Sequence, residues 1–480
     1  MQKDENYVFL TSAPIPKVIG TMAVPTIISM LVTSLYNMAD TYFVGKINTQ
    51  ATAAVGIVFS VMFVVQAFAF FFGNGAGTYI ARELGAERKQ NAERMASTAL
   101  AYALFFAAMI VVLGLLFLHP LSILLGSTPT ILPYTKDYLG ISLLGTPFIM
   151  GTLCMNNQMR YQGYARYSMY GVVVGAVVNC VLDPVLIFTC GMGVSGAAWA
   201  SVTGQMIGFL VMYRMSLHPH IIHYHWRNVT FRGSFVREII AGGTPSLLRQ
   251  GLASLSTIAL NVGAGGFGDA AIAGMSIVNR LTMFIFSMVV GLGQGYQPMC
   301  GFCYGARLYD RVKGGFWFCV KVSAVFLVCM AVLLSFFSSE VITLFRDDIH
   351  VVNVGAAALR YQLLTIIFSA IIIPANMVTQ TCRMPIRANI LAAARQGLFG
   401  HEFADFVEGF DVGDGIRARG AANGVLVDEI DGLNGVEVAG ELGVFAGAIA
   451  RLVELTQESL VEDVAYKGGF ARTRQPRHHN

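Results

Sequence analysis

Two aspartates stand where a long apolar chain tolerates charge least. Asp40 and Asp183 each fall inside a run of apolar residues long enough to cross a bilayer. A charge at such a position costs about 2.5–3.5 kcal/mol on insertion scales, so it needs a reason. Tyr36 and Asn37 precede Asp40 by four and three residues, which puts all three on one helix face. Asn179 precedes Asp183 by four, and Pro184 follows it. Proline has no N–H, so the Cys180 carbonyl loses its helical donor. Two carboxylates, an amide and a freed carbonyl suit a proton or a small hard cation, so Asp40, Asn179 and Asp183 are candidate ligands for Na⁺. The plainer alternative is that each aspartate caps a helix end or bonds a neighbour. Arg249, Arg280 and Arg395 also lie in apolar runs, where they either act or simply snorkel or pair.

The elements that must position these residues are membrane helices. Of 480 residues only 12% are charged and 55% are hydrophobic, too apolar for an aqueous fold. Ten runs reach spanning length, near 18–44, 52–80, 96–118, 130–156, 167–190, 194–214, 236–262, 270–298, 315–338 and 352–378. An eleventh starts near Ala388 and stops at Gly400. The first run lacks a short core followed by a small-residue cleavage site and reads as a retained helix. The eight cysteines are scattered, and Cys300 and Cys303 have no second Cys/His pair, so apolar filler is a better account than zinc or redox chemistry. No Walker loop, nucleophile elbow, HExxH or haem motif occurs, which argues against an ATP-driven pump or a hydrolase.

The loops alternate in charge. One set carries fifteen Lys and Arg, including Arg82, Arg88, Arg160, Arg166, Arg307 and Arg383; the other carries three, Lys46, Lys136 and Arg346. The positive-inside rule places the first set and the N-terminus in the cytoplasm. A shift of 220 residues superposes Pro25 on Pro245, Gly45 on Gly265, Gly73 and Gly75 on Gly293 and Gly295, and Gly85-Ala86 on Gly305-Ala306. Six spans separate equivalent points, so both halves share one orientation, as in a parallel repeat about an axis along the membrane normal.

The expected fold is therefore an all-α polytopic membrane protein with two parallel six-helix lobes, the second incomplete. Residues 1–216 form the first lobe, 217–235 a cytoplasmic connector, and 236–400 four full helices and part of a fifth. Residues 401–480 carry 14 acidic and seven basic residues, against 14 and 25 in the rest of the chain, and hold no spanning run. This acidic tail reads as foreign to the fold, through a frameshift or fusion, with a natural cytoplasmic tail as the alternative.

Aromatic and methionine side chains line the spans, among them Phe63, Phe68, Tyr138, Met155 and Met283. They suit a plastic cavity for bulky organic cations, and lipid-facing packing explains most of them as well. Gln66, Asn156, Asn157, Gln250, Asn261, Gln294 and Gln297 either face such a cavity or bond helix to helix.

Several stretches resemble the multidrug and toxic compound extrusion (MATE) family. They are Ala23-Val-Pro-Thr26, Ser34 through Gly45, Ala53-Ala-Val-Gly56, Asn179 through Phe188, Gly196-Ala-Ala-Trp-Ala-Ser201, and Gly293-Gln-Gly-Tyr-Gln-Pro298 with Gly305-Ala306. The Asp183-Pro184 pair is most similar to the bacterial DinF/MepA-like branch. The resemblance implies a V-shaped, twelve-helix antiporter of the bacterial plasma membrane, exporting drugs or dyes against H⁺ or Na⁺, with no other cofactor. It carries the ion site onto Asp40, Asn179 and Asp183, and adds Ser201 at a position where the family often has Thr. The expected protein is a monomer that binds small molecules and lipid but no nucleic acid. Past Gly400 the likeness stops, where the family completes helix eleven and adds a twelfth. Other expectations are a lipid-linked precursor flippase of the same superfamily and, from another class, a membrane-embedded enzyme or receptor.

Overall fold

Helix ends in this chain are set by a few residues whose backbone or side chains end or cap the ladder. The computed structural model describes residues 5–265, 269–345 and 348–393, with side chains over the same range except 49, 254–273 and 364. Arg395, the acidic tail and the side chain of Asn261, for which the sequence raises expectations, lie outside the described residues. The chain divides into two units at Gly400/His401, and the described residues all belong to the first.

The described residues are mostly helical and contain no strand. In order they form α1 (Glu5–Ser12), α2 (Ile15–Gly45), α3 (Thr49–Gly85), α4 (Lys89–Leu116), α5 (Leu118–Leu124), α6 (Leu132–Leu144), α7 (Thr146–Tyr161), α8 (Ala165–Pro184), a π turn (Val185–Thr189) and α9 (Gly193–Ser216). A 3₁₀ turn (Trp226–Asn228) comes next, then α10 (Gly233–Gly265), α11 (Asp269–Gly305), α12 (Tyr309–Phe336), α13 (Ser338–Phe345), α14 (Ile349–Ile366) and α15 (Ser369–Thr381). A further helix covers 385–393. Asn48 caps α3 by accepting from Ala51 N at 2.6 Å, and Asp348 caps α14 by accepting from His350 N at 3.0 Å. Among the described residues, seven helices are long and apolar enough to cross a membrane, and the pair α6–α7, bent by 47°, makes an eighth. The long α10 and the pair α14–α15 stand over the other two expected spans.

The offset read from the sequence recurs in the backbone. Both ends of α3 and α11, and both ends of α4 and α12, stand 220 residues apart. Glu87 and Arg307, one offset apart, both take positive φ, 60° and 62°, just past their helices. Gly163 and Arg383 do the same at 90° and 63°. Asn156 donates from Nδ2 to the Ser168 carbonyl and Asn376 to the Ala388 carbonyl, each at 2.6 Å. Two stretches with the same turns, helix ends and cross-helix bonds are one structural unit used twice.

The halves meet chiefly along three helix pairs, α2 with α11, α3 with α10 and α3 with α11. The approach is close because glycines stand on the seam. A Cβ added at Gly75 would run into the Ile239 carbonyl oxygen, and one added at Gly295 would lie 2.5 Å from the backbone of Ala23. These contacts involve the last turns of α3 and α11 and the first turns of α2 and α10. They therefore gather at the end of the bundle that carries the basic loops. An ion-pair group closes the same end: Glu238 pairs with Arg82 at 2.9 Å and with Arg383, and Arg82 also donates to the Thr381 carbonyl at 2.8 Å. The connector is held by the first half. Ile222 N donates to Gln162, His225 N to Ser97 and Thr230 N to Thr98.

Candidate functional site

The acid pair sits inside the first half, where α2, α8, α9 and α6 pack together. Helix α8 lies tightly on α9 through glycines: Gly175 and Gly204 face each other, and a Cβ at Gly204 would lie 2.7 Å from the Gly175 carbonyl oxygen and 3.0 Å from the Asn179 Cβ. That closeness lets Asn179 donate from Nδ2 to Ser201 Oγ at 3.0 Å. Asp183 is one turn further along α8, fully buried, and Asp40 on α2 is 3% exposed. Tyr36 interacts with Asp40, Asp183 and Ser201, and Tyr138 on α6 interacts with the same three groups and with Tyr36.

The bonding of this cluster is one-sided. Asp40 Oδ1, both carboxyl oxygens of Asp183 and the Asn179 amide oxygen are buried and have no donor. An unpaired buried acceptor costs free energy comparable to a lost hydrogen bond, and four together constitute a strong demand for a donor or a cation. No three His, Cys, Asp or Glu side chains among the described residues could share a metal ion. A cation held by the two aspartates would have to draw on amide and hydroxyl oxygens to complete its shell. Such an oxygen-only set fits a proton or a small hard cation and does not fit a soft transition metal. Past Asp183, Pro184 leads into the π turn, with Cys190 N donating to the Val185 carbonyl at 2.9 Å. Wide turns of this kind recur at functional sites.

The structure thus brings together Tyr36, Asp40, Asn179, Asp183 and Ser201. Asn37 is half-buried and makes no side-chain bond to the cluster; its carbonyl accepts from Thr41. Tyr138, an aromatic lining residue by sequence, is a member of the acid cluster. It reaches the site only through the packing of α6 on α9, so no local spacing marks it.

The residues assigned to a substrate cavity scatter. Met155 is corrected: it is fully buried in an apolar cluster with Leu100, Ala103 and Met212, because its face of α7 turns into the first half. Asn156 ties α7 to α8 through its bond to Ser168. Gln66 and Gln250 are half-buried, Met283 is largely exposed, and Gln294 is buried. Arg280 is exposed on α11.

A second polar centre escapes the sequence reading. Arg160, which the charge alternation places among the loop residues, is 1% exposed and does not belong to that set. Its guanidinium donates to the Gln294 carbonyl at 2.7 Å, Gln297 Oε1 at 3.0 Å, Asn157 Oδ1 at 2.7 Å and Asn74 Oδ1 at 3.3 Å. Asn74 donates in turn to Ser246 Oγ on α10 at 2.9 Å. This network crosses from the first half into the second beside the glycine seam. The signal that could have found it is the string of amides at 156–158 next to the arginine, unusual in an apolar helix.

Comparison with known proteins fits this geometry. The MatE family profile matches residues 25–185 and 245–400, two blocks whose starts are 220 residues apart. The multidrug export protein MepA of Staphylococcus haemolyticus is 27% identical over 375 residues, covering 77% of this chain and 82% of that protein. MepA of Staphylococcus aureus is 24% identical over the same length, with the same coverage. Among solved structures, an outward-facing multidrug resistance MATE family transporter of the MOP superfamily superposes with a TM-score of 0.77, at 24% identity, over 82% of this chain and 89% of that one. A MOP superfamily transporter from Pyrococcus furiosus, described as having a binding pocket of reverse polarity, gives 0.79 at 24% identity, over 85% and 92%. At that identity the structures show a shared fold.

Proposed function

The chain belongs to the MatE family, and on that premise we propose that it exports organic drugs or dyes, many of them cationic, in antiport with H⁺ or Na⁺. Its relatives are multidrug export proteins, which supports the cargo class. The observation that carries the coupling is the set of donor-less buried oxygens on Asp40, Asn179 and Asp183 beside Ser201. These residues would hold the ion, and the cost of leaving four acceptors bare is what makes its binding favourable. Residues 1–216 and 236–400 serve as two lobes that open alternately to either side of a bacterial plasma membrane, with the basic loops and the N-terminus in the cytoplasm. The seam at the basic-loop end then closes the cytoplasmic side, and a protein with that seam shut opens outward. One chain suffices, and the partners are cargo and lipid. No step calls for bond-making chemistry.

The test is dye efflux from efflux-deficient bacteria expressing this 480-residue chain. Ethidium should leave the cells faster than from controls, and Asp40→Asn or Asp183→Asn should reduce the gain by about tenfold or more, as expected from losing a charge-assisted contact. Undiminished efflux in both variants sinks the ion site. A chain that reaches the membrane yet gives no efflux sinks transport.

A further inference from the structure

Among the described residues, the cation at the edge of the seam has no counter-charge. Along α10, Ile239, Gly242, Gly243 and Ser246 all meet the backbone or side chains of α3. Arg249 comes one turn later, where this run of close contacts ends, and is half-buried. Its Nη1 donates to Asn376 Oδ1 at 3.0 Å and its Nη2 reaches Ser246 Oγ at 3.4 Å. Both partners are neutral. Ser246 Oγ is already shared, since Asn74 and Gln380 donate to it at 2.9 and 2.8 Å. Arg160 lies near enough for the two positive charges to repel. The ion pairs among the described residues involve Arg82, Arg88 and Arg383, and none pairs a carboxylate with Arg160 or Arg249.

Two guanidinium groups held in one low-dielectric network by neutral partners, amides, a hydroxyl and the Tyr161 ring under Arg160, are expensive. Arg160 is enclosed: four acceptors take its two Nη groups, and its buried Nε has no partner. Arg249 is different. It is partly accessible, it uses two of its five N–H donors, one of them on a long bond, and a guanidinium matches a carboxylate in a planar two-bond fork. We propose that Arg249 binds the carboxylate of a transported compound at the point where the close contacts between α3 and α10 end. The inference deepens the export reading and rests on it for the word "transported". An inorganic anion offers the same chemistry, and the experiment separates the two.

The purified full chain in detergent is titrated with a zwitterionic fluoroquinolone and with its methyl ester, which keeps the amine and ring but lacks the carboxylate. A charge-assisted bond predicts that the acid binds roughly tenfold more tightly than the ester. Arg249→Gln should erase that preference by weakening the acid, and Arg249→Lys should retain part of it. Equal affinities for acid and ester in the unaltered protein overturn the proposal, as does a preference that survives in Arg249→Gln, or a failure of both compounds to bind. If Arg249→Gln does not stay monodisperse, the acid-to-ester ratio of the unaltered protein and its decline with added phosphate decide. If acid and ester bind alike while phosphate or chloride alone raises the unfolding temperature, the arginine holds only a structural counter-ion and the proposal fails. Ethidium efflux is scored separately: its absence with an intact acid preference refutes export and leaves the site standing.

Discussion

Gly85 and Gly305 make the same contact with the halves exchanged. A Cβ on Gly85 would strike the Phe302 carbonyl oxygen, and one on Gly305 would strike the Arg82 carbonyl oxygen. Each glycine and each carbonyl is one 220-residue offset from its counterpart, so the ends of α3 and α11 cross about a local twofold axis. A self-complementary contact of this kind concentrates the effect of any change, because each position is used twice.

Gly85→Ala or Gly305→Ala should therefore push α3 and α11 apart and bias the protein toward opening at the basic-loop end. A single cysteine placed in the seam would report it, through faster labelling by a membrane-impermeant maleimide added from the side of the basic loops. Gly56→Ala, with nothing within 4 Å of the added methyl, should leave the labelling rate unchanged. Similar rates in all three variants would contradict the close packing.

Ser201 receives the Asn179 amide and interacts with both tyrosines. Ser201→Ala should free Asn179 to turn away and weaken ion binding by roughly three- to twentyfold, the range expected from a bond of about 0.6–1.7 kcal/mol in a membrane interior. Ser201→Thr keeps the hydroxyl and should restore most of it. Ion dependence of dye efflux in proteoliposomes gives the reading; equal behaviour of the Ala and Thr variants argues that the hydroxyl is idle.

Asn156 and Asn376 make equivalent helix-to-helix bonds, but Asn376 also accepts from Arg249. Asn156→Ala should cost about 1 kcal/mol of stability. Asn376→Ala should cost more, since it also removes a partner of a cation in the protein interior. Thermal unfolding of the two variants in detergent compares them, and equal shifts would show that the Arg249 bond contributes nothing.

Much of the fold is legible in the chain itself. Gly45, Gly85 and Gly305 mark helix ends because each is followed by a three-residue loop that carries charge, and the i,i+4 spacing of Asn179 and Asp183 needs only a helix to become a shared face. Arg160 is not legible. It is the next-to-last residue of α7 and stands beside polar side chains, so it resembles loop charge, and its acceptors on α11 are 134 and 137 residues away. Met155 misleads for a related reason: with amides on one side and apolar residues on the other, α7 shows which residues are polar but not which neighbour each face meets. Tyr138 enters the acid cluster only because α6 packs on α9, a tertiary fact that no local spacing encodes.

Glu238→Gln removes the carboxylate shared by Arg82 and Arg383. Arg383 is well exposed, so its share is small; the loss should come mainly from the more enclosed Arg82 pair and amount to about 1 kcal/mol. It should shrink as salt rises from low to molar concentration, which denaturation at two ionic strengths would reveal. A salt-independent loss would assign Glu238 a packing role instead.

The connector between the halves has an uneven allegiance. Its backbone is fastened to Gln162, Ser97 and Thr98, and Thr230 is the last residue so held before α10 begins at Gly233. Gly233 has nothing within 4 Å of where a side chain would stand. The connector is therefore fixed to the first half like a plate screwed to one leaf of a door, and the grip continues past Thr230, since the ring of Phe231 packs edge-on against Tyr102 of α4 and Phe235 packs against Tyr79 of α3.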